Sequence, residues 1–161
     1  MEFKILNSKE TREIIKMISE QWGCNLKDTP EYDGWGFIEN NEERIFLVTR
    51  DIGRIEFSRL RANSAGLYFG ELKNGMLRLS IEGSQIVGKL AKKNLFEMNY
   101  EQCGKWMKGE DIEAAGHDEI SNDNSGFLIM KYQNNFLGSG RYKEGRIINF
   151  VPKTRRLKEL C

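Results

Sequence analysis

Residue types that build disulfide frameworks, metal sites and catalytic triads are scarce in this sequence. Its 161 residues include three cysteines, one histidine and two prolines. The cysteines Cys24, Cys103 and Cys161 form no Cys-x-x-Cys pair, which argues against a disulfide framework and a structural zinc site. The single histidine, His117, lies in a polar stretch that is typical of a surface loop. We therefore expect neither a metal nor a cofactor.

Long apolar runs and the short motifs of common enzyme classes are also missing. No run approaches the ~20 apolar residues that a membrane-spanning helix needs, and residues 1–10 lack the hydrophobic region of a signal peptide. No P-loop, HExxH or GxSxG motif occurs. Gly138-Ser139-Gly140 begins like a dinucleotide-binding motif but lacks the third glycine and leads into another strand. We expect a cytoplasmic protein without a membrane partner.

The basic residues that are present crowd into the C-terminal stretch. Residues 131–161 hold eight Lys and Arg against two Glu, a net charge of +6, whereas residues 1–130 sum to −5. Clustered cations attract polyanions such as nucleic acid. Aromatic residues are interleaved among them, at Tyr132, Phe136, Tyr142 and Phe150. The charge alone leaves two interpretations open, a polyanion-binding surface and an ordinary solvated hairpin.

Residues 1–62 predict a small α/β domain. A short strand at 2–6 precedes a helix at 8–22, which has Asn7 and Glu10 in a capping-box arrangement and ends at Gly23. Two strands at 34–40 and 43–50 form a hairpin through Asn40 and Asn41. A further strand is predicted within residues 52–60.

Residues 63–161 predict a second domain, mostly of β-strands. Asn74-Gly75 is a strong hairpin signal between two strand patterns. One helix begins near Ser80 and another ends at Gly109. The remaining strands are predicted at 95–99 and in the runs GFLIMKYQ, NFLGSGRY and GRIINFVP. The fold class is thus α+β, a small N-terminal α/β domain followed by a mostly antiparallel pseudobarrel with short helices.

Five short motifs in this second half resemble PUA-like RNA-binding domains. They are G-L-Y-x-G-E-L at Gly66–Leu72, L-S-x-E-G at 79–83, W-x-x-G-E-D at Trp106–Asp111, F-L-G-x-G at 136–140 and N-x-x-P-K-x-x-R at Asn149–Arg156. The pattern is similar to the domain behind the catalytic domain of Fmu/RsmF-type ribosomal RNA 5-methylcytosine methyltransferases. It also resembles small PUA ribosome-biogenesis proteins of archaea and eukaryotes.

The resemblance implies a pseudobarrel fold and RNA as the partner, either ribosomal or transfer RNA. A separate methyltransferase or a pre-ribosomal protein is a further partner that it suggests. Carried onto this chain, the implied RNA contacts are Arg141, Lys143, Lys153, Arg155 and Arg156, with Gly66 and Gly70 at a bend where a backbone can approach closely.

The chain departs from the methyltransferases in its catalytic parts. Their nucleophile lies in a Pro-Cys dipeptide, but Pro30 precedes Glu31 and Pro152 precedes Lys153. We expect no S-adenosylmethionine-binding domain in these residues. The sequence therefore favours a non-catalytic RNA-binding protein, an accessory factor in ribosome biogenesis or RNA modification.

Two alternatives remain open from the residues alone. The first is a PUA-like-barrel enzyme, a hydrolase or an enzyme acting on nucleotides, with Lys, Glu and Tyr side chains converging in a pocket. The second is a protein-interaction adaptor that docks a partner through Trp22, Trp35 or Phe37 of the N-terminal domain.

Overall fold

The computed structural model describes residues 2–50, 66–114 and 126–158. Three features of the sequence analysis lie outside these residues: the strand predicted within 52–60, His117 and Cys161.

The first sheet is an antiparallel meander of five strands in the order β1-β2-β3-β4-β5. Its strands are β1 (Phe3–Ile5), β2 (Trp35–Asn40), β3 (Arg44–Thr49), β4 (Leu67–Lys73) and β5 (Met76–Leu79). The turn between β4 and β5 has Asn74 at φ 52° and Gly75 at φ 76°. Such left-handed pairs match the twist of the flanking strands, which is why Asn-Gly predicts this hairpin.

Helix α1 (Ser8–Trp22) forms where the sequence predicts it, between β1 and β2. The backbone N–H of Glu10 donates to Oδ1 of Asn7 and the N–H of Asn7 donates to Oε2 of Glu10, both at 2.9 Å. This capping box satisfies two N–H groups that have no partner inside the helix. The helix ends at Gly23, which adopts φ 67°. Ile14, Ile18 and Trp22 form its buried face.

The side chain of Gln21 ties α1 to β5, which is an edge strand of the first sheet. Its amide Nε2 donates to the carbonyl of Leu77 at 2.9 Å, and its Oε1 accepts from the backbone N–H of Leu77 at 2.8 Å. One side chain therefore satisfies both backbone groups of an edge residue.

The second sheet has five strands in the order β6-β8-β9-β10-β7. The strands are β6 (Leu95–Glu97), β7 (Ile112–Glu113), β8 (Phe127–Tyr132), β9 (Asn135–Lys143) and β10 (Arg146–Asn149). Helix α2 (Ile81–Gly88) lies between β5 and β6, and α3 (Tyr100–Met107) lies between β6 and β7. The β6–β8 pair is parallel and the others are antiparallel. The short β7 was not predicted.

One hydrophobic core connects the two sheets. It joins side chains of α1 and the first sheet, such as Ile18 and Phe69, to Phe127, Ile129 and Phe136 of the second. A second cluster packs α3 against the second sheet around Trp106 and Met130. The helices and mostly antiparallel strands confirm the predicted α+β class.

The predicted domain boundary at residues 62 and 63 falls between two paired strands. Strand β3, before the boundary, is hydrogen-bonded to β4, after it. Residues on both sides also share the first core cluster, for example Phe37 and Phe69, whose rings meet edge to face at 5.7 Å. The division into two domains therefore stays a prediction, although the two proposed units share a sheet.

Gly83 allows α2 to pack directly against β4. A Cβ atom at this position would lie 2.0 Å from the carbonyl oxygen of Phe69, far inside van der Waals contact. Alanine normally favours a helix over glycine, but here we expect Gly83→Ala to cost about 1–3 kcal/mol, as overpacking does. Urea unfolding followed by circular dichroism measures this cost. Gly34→Ala, where no atom lies within 4 Å of the added Cβ, is the control, and equal stability of the two variants would contradict the packing argument.

Candidate functional site

Asn149, the last residue of β10, links the motif that it begins to the motif Trp106–Asp111 at the end of α3. Its side-chain Nδ2 donates to the carbonyls of Trp106 and Glu110, at 2.8 and 2.9 Å. Its Oδ1 accepts from the backbone N–H of Val151 at 2.7 Å, and its own N–H donates to the carboxylate of Asp111 at 2.9 Å. This arrangement, which we call the Asn149 clasp, fixes the chain where it leaves the last strand.

The chain that follows the clasp stays attached to α3. Arg156 donates from Nε to the carbonyl of Val151 at 3.0 Å, and its side chain lies against Gly109, where a Cβ would come within 2.3 Å of the same nitrogen. The N–H of Leu157 donates to the carbonyl of Met107 at 2.8 Å. The glycine of W-x-x-G-E-D is thus needed for space as well as for its φ of 91°. We call residues 152–158 the exit segment.

The exit segment presents its cations in a short 3-10 helix, Lys153–Arg155. Lys153 and Arg155 are exposed, and Arg156 is half-buried. Arg155 reaches across to α2, where its guanidinium pairs with Glu82 at 2.5 Å. Glu82 lies in the second half of the chain, and no acidic residue in the described part of the first half pairs with Arg155.

A cavity of about 490 Å³ opens between the first sheet and the exit segment. Three arginines from different elements line it: Arg44 at the start of β3, Arg78 in β5 and Arg155 in the exit segment. The cavity is lined further by polar and aromatic side chains, which include Tyr68, Glu71, Ser80, Ser139, Phe150 and Thr154. Cationic guanidinium groups with flat aromatic neighbours suit an anionic ligand that carries rings.

Ion pairs and an aromatic contact hold these arginines in place. Arg78 pairs with Glu71 at 2.7 Å, and its guanidinium lies 4.7 Å from the centre of the Phe150 ring. Glu71 also pairs with Lys73 at 2.9 Å. Arg44 pairs with Glu42 at 3.1 Å. Because guanidinium has five N–H donors, an arginine oriented by one carboxylate can still donate to a ligand.

Two serines of the cavity lining make hydrogen bonds that hold the fold together. Ser80 donates from its hydroxyl to the carbonyl of Tyr68 at 2.6 Å and caps α2 by accepting from Gly83. The hydroxyl of Ser139 donates to the carbonyl of Leu79 at 2.8 Å, which ties the second sheet to the first. Burial raises the pKa of the Tyr68 hydroxyl, so it stays protonated at neutral pH. Glu71 is held by two cations, and the raised pKa of Tyr68 disfavours its use as a base at neutral pH.

The β9–β10 hairpin carries a second group of cations. Arg141 lies opposite Ile148, and Lys143 lies opposite Arg146. Opposed residues share a face and side chains alternate along a strand, so Arg141, Lys143 and Arg146 lie on one face, which we call the hairpin face. In the described part of the chain none of the three has an ion-pair partner. Ser139, two residues before Arg141, lines the cavity, so the hairpin face adjoins it.

The predicted cations therefore fall into two neighbouring groups. Arg155 lines the cavity, with Lys153 and Arg156 beside it on the exit segment, whereas Arg141 and Lys143 lie on the hairpin face. Sequence reasoning missed Arg44 and Arg78. Arg78 could have been found, because a two-residue Asn74-Gly75 turn forces it to pair with Glu71.

Gly66 and Gly70 lie where backbones approach closely, but the neighbouring backbone is the chain's own. A Cβ on Gly66 would come within 2.4 Å of the carbonyl of Leu47, and one on Gly70 within 2.6 Å of that of Arg78. Gly70 is buried in β4. Both glycines serve strand pairing in the first sheet, and their proposed part in RNA contact stays a prediction.

Other chemistry finds little support in the residues that the structure describes. They include no group of three or more His, Cys, Asp or Glu placed to hold a metal ion. Burial raises the pKa of the thiols of Cys24 and Cys103, which disfavours the reactive thiolate. Within the same ranges, no helix is long and apolar enough to cross a membrane.

The aromatic residues proposed for an adaptor role lie mostly in the core. Trp22 is fully buried and Phe37 is 2% exposed, so neither can dock a partner. Trp35 is half-buried and remains accessible. Of the aromatics in the basic stretch, Phe136 is buried, and Tyr132 and Tyr142 pack against the second core cluster.

Comparison with known sequences points to one kind of domain. Residues 93–157 match the family model described as the methyltransferase RsmF PUA domain. The chain is 25% identical over 154 residues to ribosomal RNA small subunit methyltransferase F of Aeromonas hydrophila, and 22% identical over 156 residues to that of Vibrio campbellii. Each alignment covers 94% of this chain but only 29% and 30% of the relative. The chain thus spans less than a third of these proteins.

Comparison with solved structures adds the fold. The chain is similar to a conserved PUA domain protein from Thermoplasma acidophilum, with a TM-score of 0.56 and 15% sequence identity. The likeness covers 92% of this chain and 93% of the other, so it includes both sheets. The Asn149 clasp and the exit segment as far as Leu157 lie inside the stretch that matches the family model. The chain therefore has a PUA-like fold and carries a domain related to the C-terminal PUA domain of the RsmF methyltransferases.

Proposed function

We propose that this chain binds RNA through the arginine-lined cavity, the exit segment and the hairpin face. The observation that carries the proposal is the convergence of Arg44, Arg78 and Arg155 from three elements on one cavity that also holds aromatic side chains. Guanidinium groups bind phosphate with two parallel hydrogen bonds and stack on bases. The relation to PUA domains and the names of the curated relatives support RNA as the polyanion.

The exit segment and the hairpin face extend the basic surface beyond the cavity. Lys143, Arg146 and Lys153 are exposed and have no ion-pair partner among the described residues. Counterions condensed on RNA are released when such cations meet phosphates, which favours binding at low salt. Cations that are already paired, such as Arg155 with Glu82, are oriented by their partner. Their side chains therefore lose less conformational entropy when RNA binds.

The finer proposal concerns the kind of RNA and the role. The curated relatives are named for small-subunit ribosomal RNA, so we propose ribosomal RNA as the first candidate and transfer RNA as the second. The chain would act in the cytoplasm as an accessory factor in ribosome biogenesis or RNA modification, with a methyltransferase or a pre-ribosomal protein as partner. Since no Pro-Cys dipeptide occurs in the sequence, we do not assign methyl transfer to it.

Neutralising two cavity arginines tests the proposal. In gel-shift titrations with small-subunit ribosomal RNA fragments, Arg44→Gln/Arg155→Gln should weaken binding about 25-fold at 0.1 M salt, because each lost phosphate contact removes ~0.7 from the slope of log affinity against log salt. The slope itself should become less negative by about 1.4. The lost ion pairs are exposed, so we expect a stability change below about 1 kcal/mol.

The matched control changes the same net charge elsewhere. Lys9→Gln/Lys16→Gln removes two cations from the exposed side of α1, away from the cavity. This double variant should bind the RNA within about twofold of the parent, after the small loss expected from net charge alone. Absence of RNA binding by the parent at low salt, or equal affinity of the two double variants, would overturn the proposal.

A further inference from the structure

A second cavity, of about 460 Å³, lies between α1 and β2. This size is usual for sites that hold small molecules or parts of larger ligands. Its walls include the half-buried aromatic side chains of Tyr32 and Trp35, with Ile15 of α1 beside them. It shares no lining residue with the first cavity.

The rim of this second cavity is cationic. Arg12 of α1, Lys27 and Arg50 line it, and all three are exposed. Among the described lining residues there is no carboxylate, and none of the three cations forms an ion pair within the described ranges. The lining that the structure describes therefore carries three cations and no anion.

A hydrogen bond to the backbone of Trp35 orients Arg50 at this cavity. Its Nε donates to the backbone carbonyl of Trp35 at 3.1 Å. The hydrogen bond uses one of five donors and leaves both terminal nitrogens of the guanidinium for a ligand. An aromatic wall next to an oriented guanidinium matches a ligand with a flat ring and an anionic group a few ångströms apart.

We infer that this cavity binds one nucleotide of a single-stranded RNA segment, with the base against Tyr32 and Trp35 and its phosphate on Arg12, Lys27 and Arg50. This inference rests on the proposed function, since the nucleotide belongs to the bound RNA. The two cavities lie towards opposite ends of β3, because Arg44 lines the first and Arg50 follows the strand's last residue. Six residues of strand span about 20 Å, a distance that a few nucleotides can cover.

Tryptophan fluorescence offers a direct test. Trp22 and Trp106 are fully buried, so a ligand that quenches emission by stacking must act on Trp35. We expect a short single-stranded RNA to quench the emission of the full chain. Trp35→Phe should remove that quenching while keeping the thermal unfolding midpoint.

Two charge variants distinguish the effect of the rim cations on binding from the effect of net charge alone. Arg12→Gln/Lys27→Gln should weaken the quenching titration about 5-fold at 0.1 M salt, because the single phosphate that these cations hold contributes ~0.7 to the slope of log affinity against log salt. Lys9→Gln/Lys16→Gln removes the same charge from α1, at positions that do not line the cavity. The RNA affinity from the quenching titration should then stay within about twofold of the parent's. Quenching that is absent with RNA and mononucleotide alike, or equal in the two double variants, overturns the inference.

A titration with adenosine monophosphate shows whether the cavity prefers a free nucleotide or a nucleotide within RNA. Adenosine monophosphate that quenches at the same concentration of nucleotide as RNA would assign the cavity to free nucleotides and overturn the RNA assignment. Quenching by RNA at far lower concentration supports it.

The two proposals fail in different ways. If RNA still binds in gel shifts but leaves Trp35 unquenched, only this inference falls. If Trp35 responds to RNA while Arg44→Gln/Arg155→Gln has no effect on binding, the first cavity is the part that is wrong.

Discussion

Trp106→Ala should destabilise the fold by about 3–5 kcal/mol, the usual cost of removing a fully buried aromatic side chain. Trp106 has no solvent exposure and lies at the centre of the cluster between α3 and the second sheet. Its Nε1 also donates to the carbonyl of Leu137 at 2.7 Å, and the truncation leaves that carbonyl without its donor. Gly140 keeps room for the ring, since an added Cβ there would lie 3.0 Å from it.

Trp106→Phe separates the two contributions. Phenylalanine keeps much of the apolar contact and loses the hydrogen bond, so we expect a cost of about 1–3 kcal/mol, as for a buried acceptor left without a partner. Urea unfolding followed by circular dichroism gives both costs, provided that the slope of unfolding free energy against urea is the same in all variants. A cost for Trp106→Ala below that of Trp106→Phe would show that the ring does not support the core as described.

Asn149→Asp should destabilise the fold by about 2–6 kcal/mol, because two acceptors lose their donor at ~1–3 kcal/mol each. The two carbonyls that receive Nδ2, those of Trp106 and Glu110, would face a carboxylate oxygen. The clasp would open, and the exit segment with Arg155 and Arg156 would lose its fixed position. RNA affinity should therefore fall together with stability.

The pH dependence of this variant identifies the cause. Since the new carboxyl is disfavoured as an anion in the folded state, its folded pKa lies above its unfolded pKa, and the loss of stability should shrink as pH falls through that range. Asn41→Asp introduces the same charge in an exposed turn and is the control. We expect its stability to change little and with no such recovery. A loss that is independent of pH would refute the role of the two carbonyls.

Local elements could be predicted because their causes lie within a few residues. Asn7 and Glu10 cap α1 as expected, and Gly23 ends it. The hairpin turn at Asn74 follows from a local preference for left-handed backbone. In the turn at Glu144 and Gly145, with φ of 50° and 82°, only the glycine has that freedom. Such preferences act in the unfolded chain as well, which is why sequence shows them.

Long-range pairing could not be predicted in the same way. The pairing of β3 with β4 places Arg44 opposite Glu71, across residues that no local pattern connects. The parallel pairing of β6 with β8 also depends on the whole fold. The arginine-lined cavity arises from these pairings, so sequence reasoning found Arg155 and missed its two companions.

Two of the sequence motifs contact each other in the folded chain, which their sequence positions do not show. W-x-x-G-E-D and N-x-x-P-K-x-x-R lie far apart in the sequence, yet the Asn149 clasp and the contact of Arg156 with Gly109 make them one unit. Asp111, the last residue of the first motif, accepts a hydrogen bond from the backbone of Asn149. Pattern alone cannot show that a residue type is retained for such a partner.

The contact between Gln21 and Leu77 affects how this chain meets other copies of itself. A strand at the margin of a sheet can add a strand from a second molecule, which is a common start of aggregation. At Leu77 the amide of Gln21 already occupies both positions that an incoming strand would need. Helix α1 thus shields β5, and this margin of the sheet cannot extend into a neighbouring molecule at that residue.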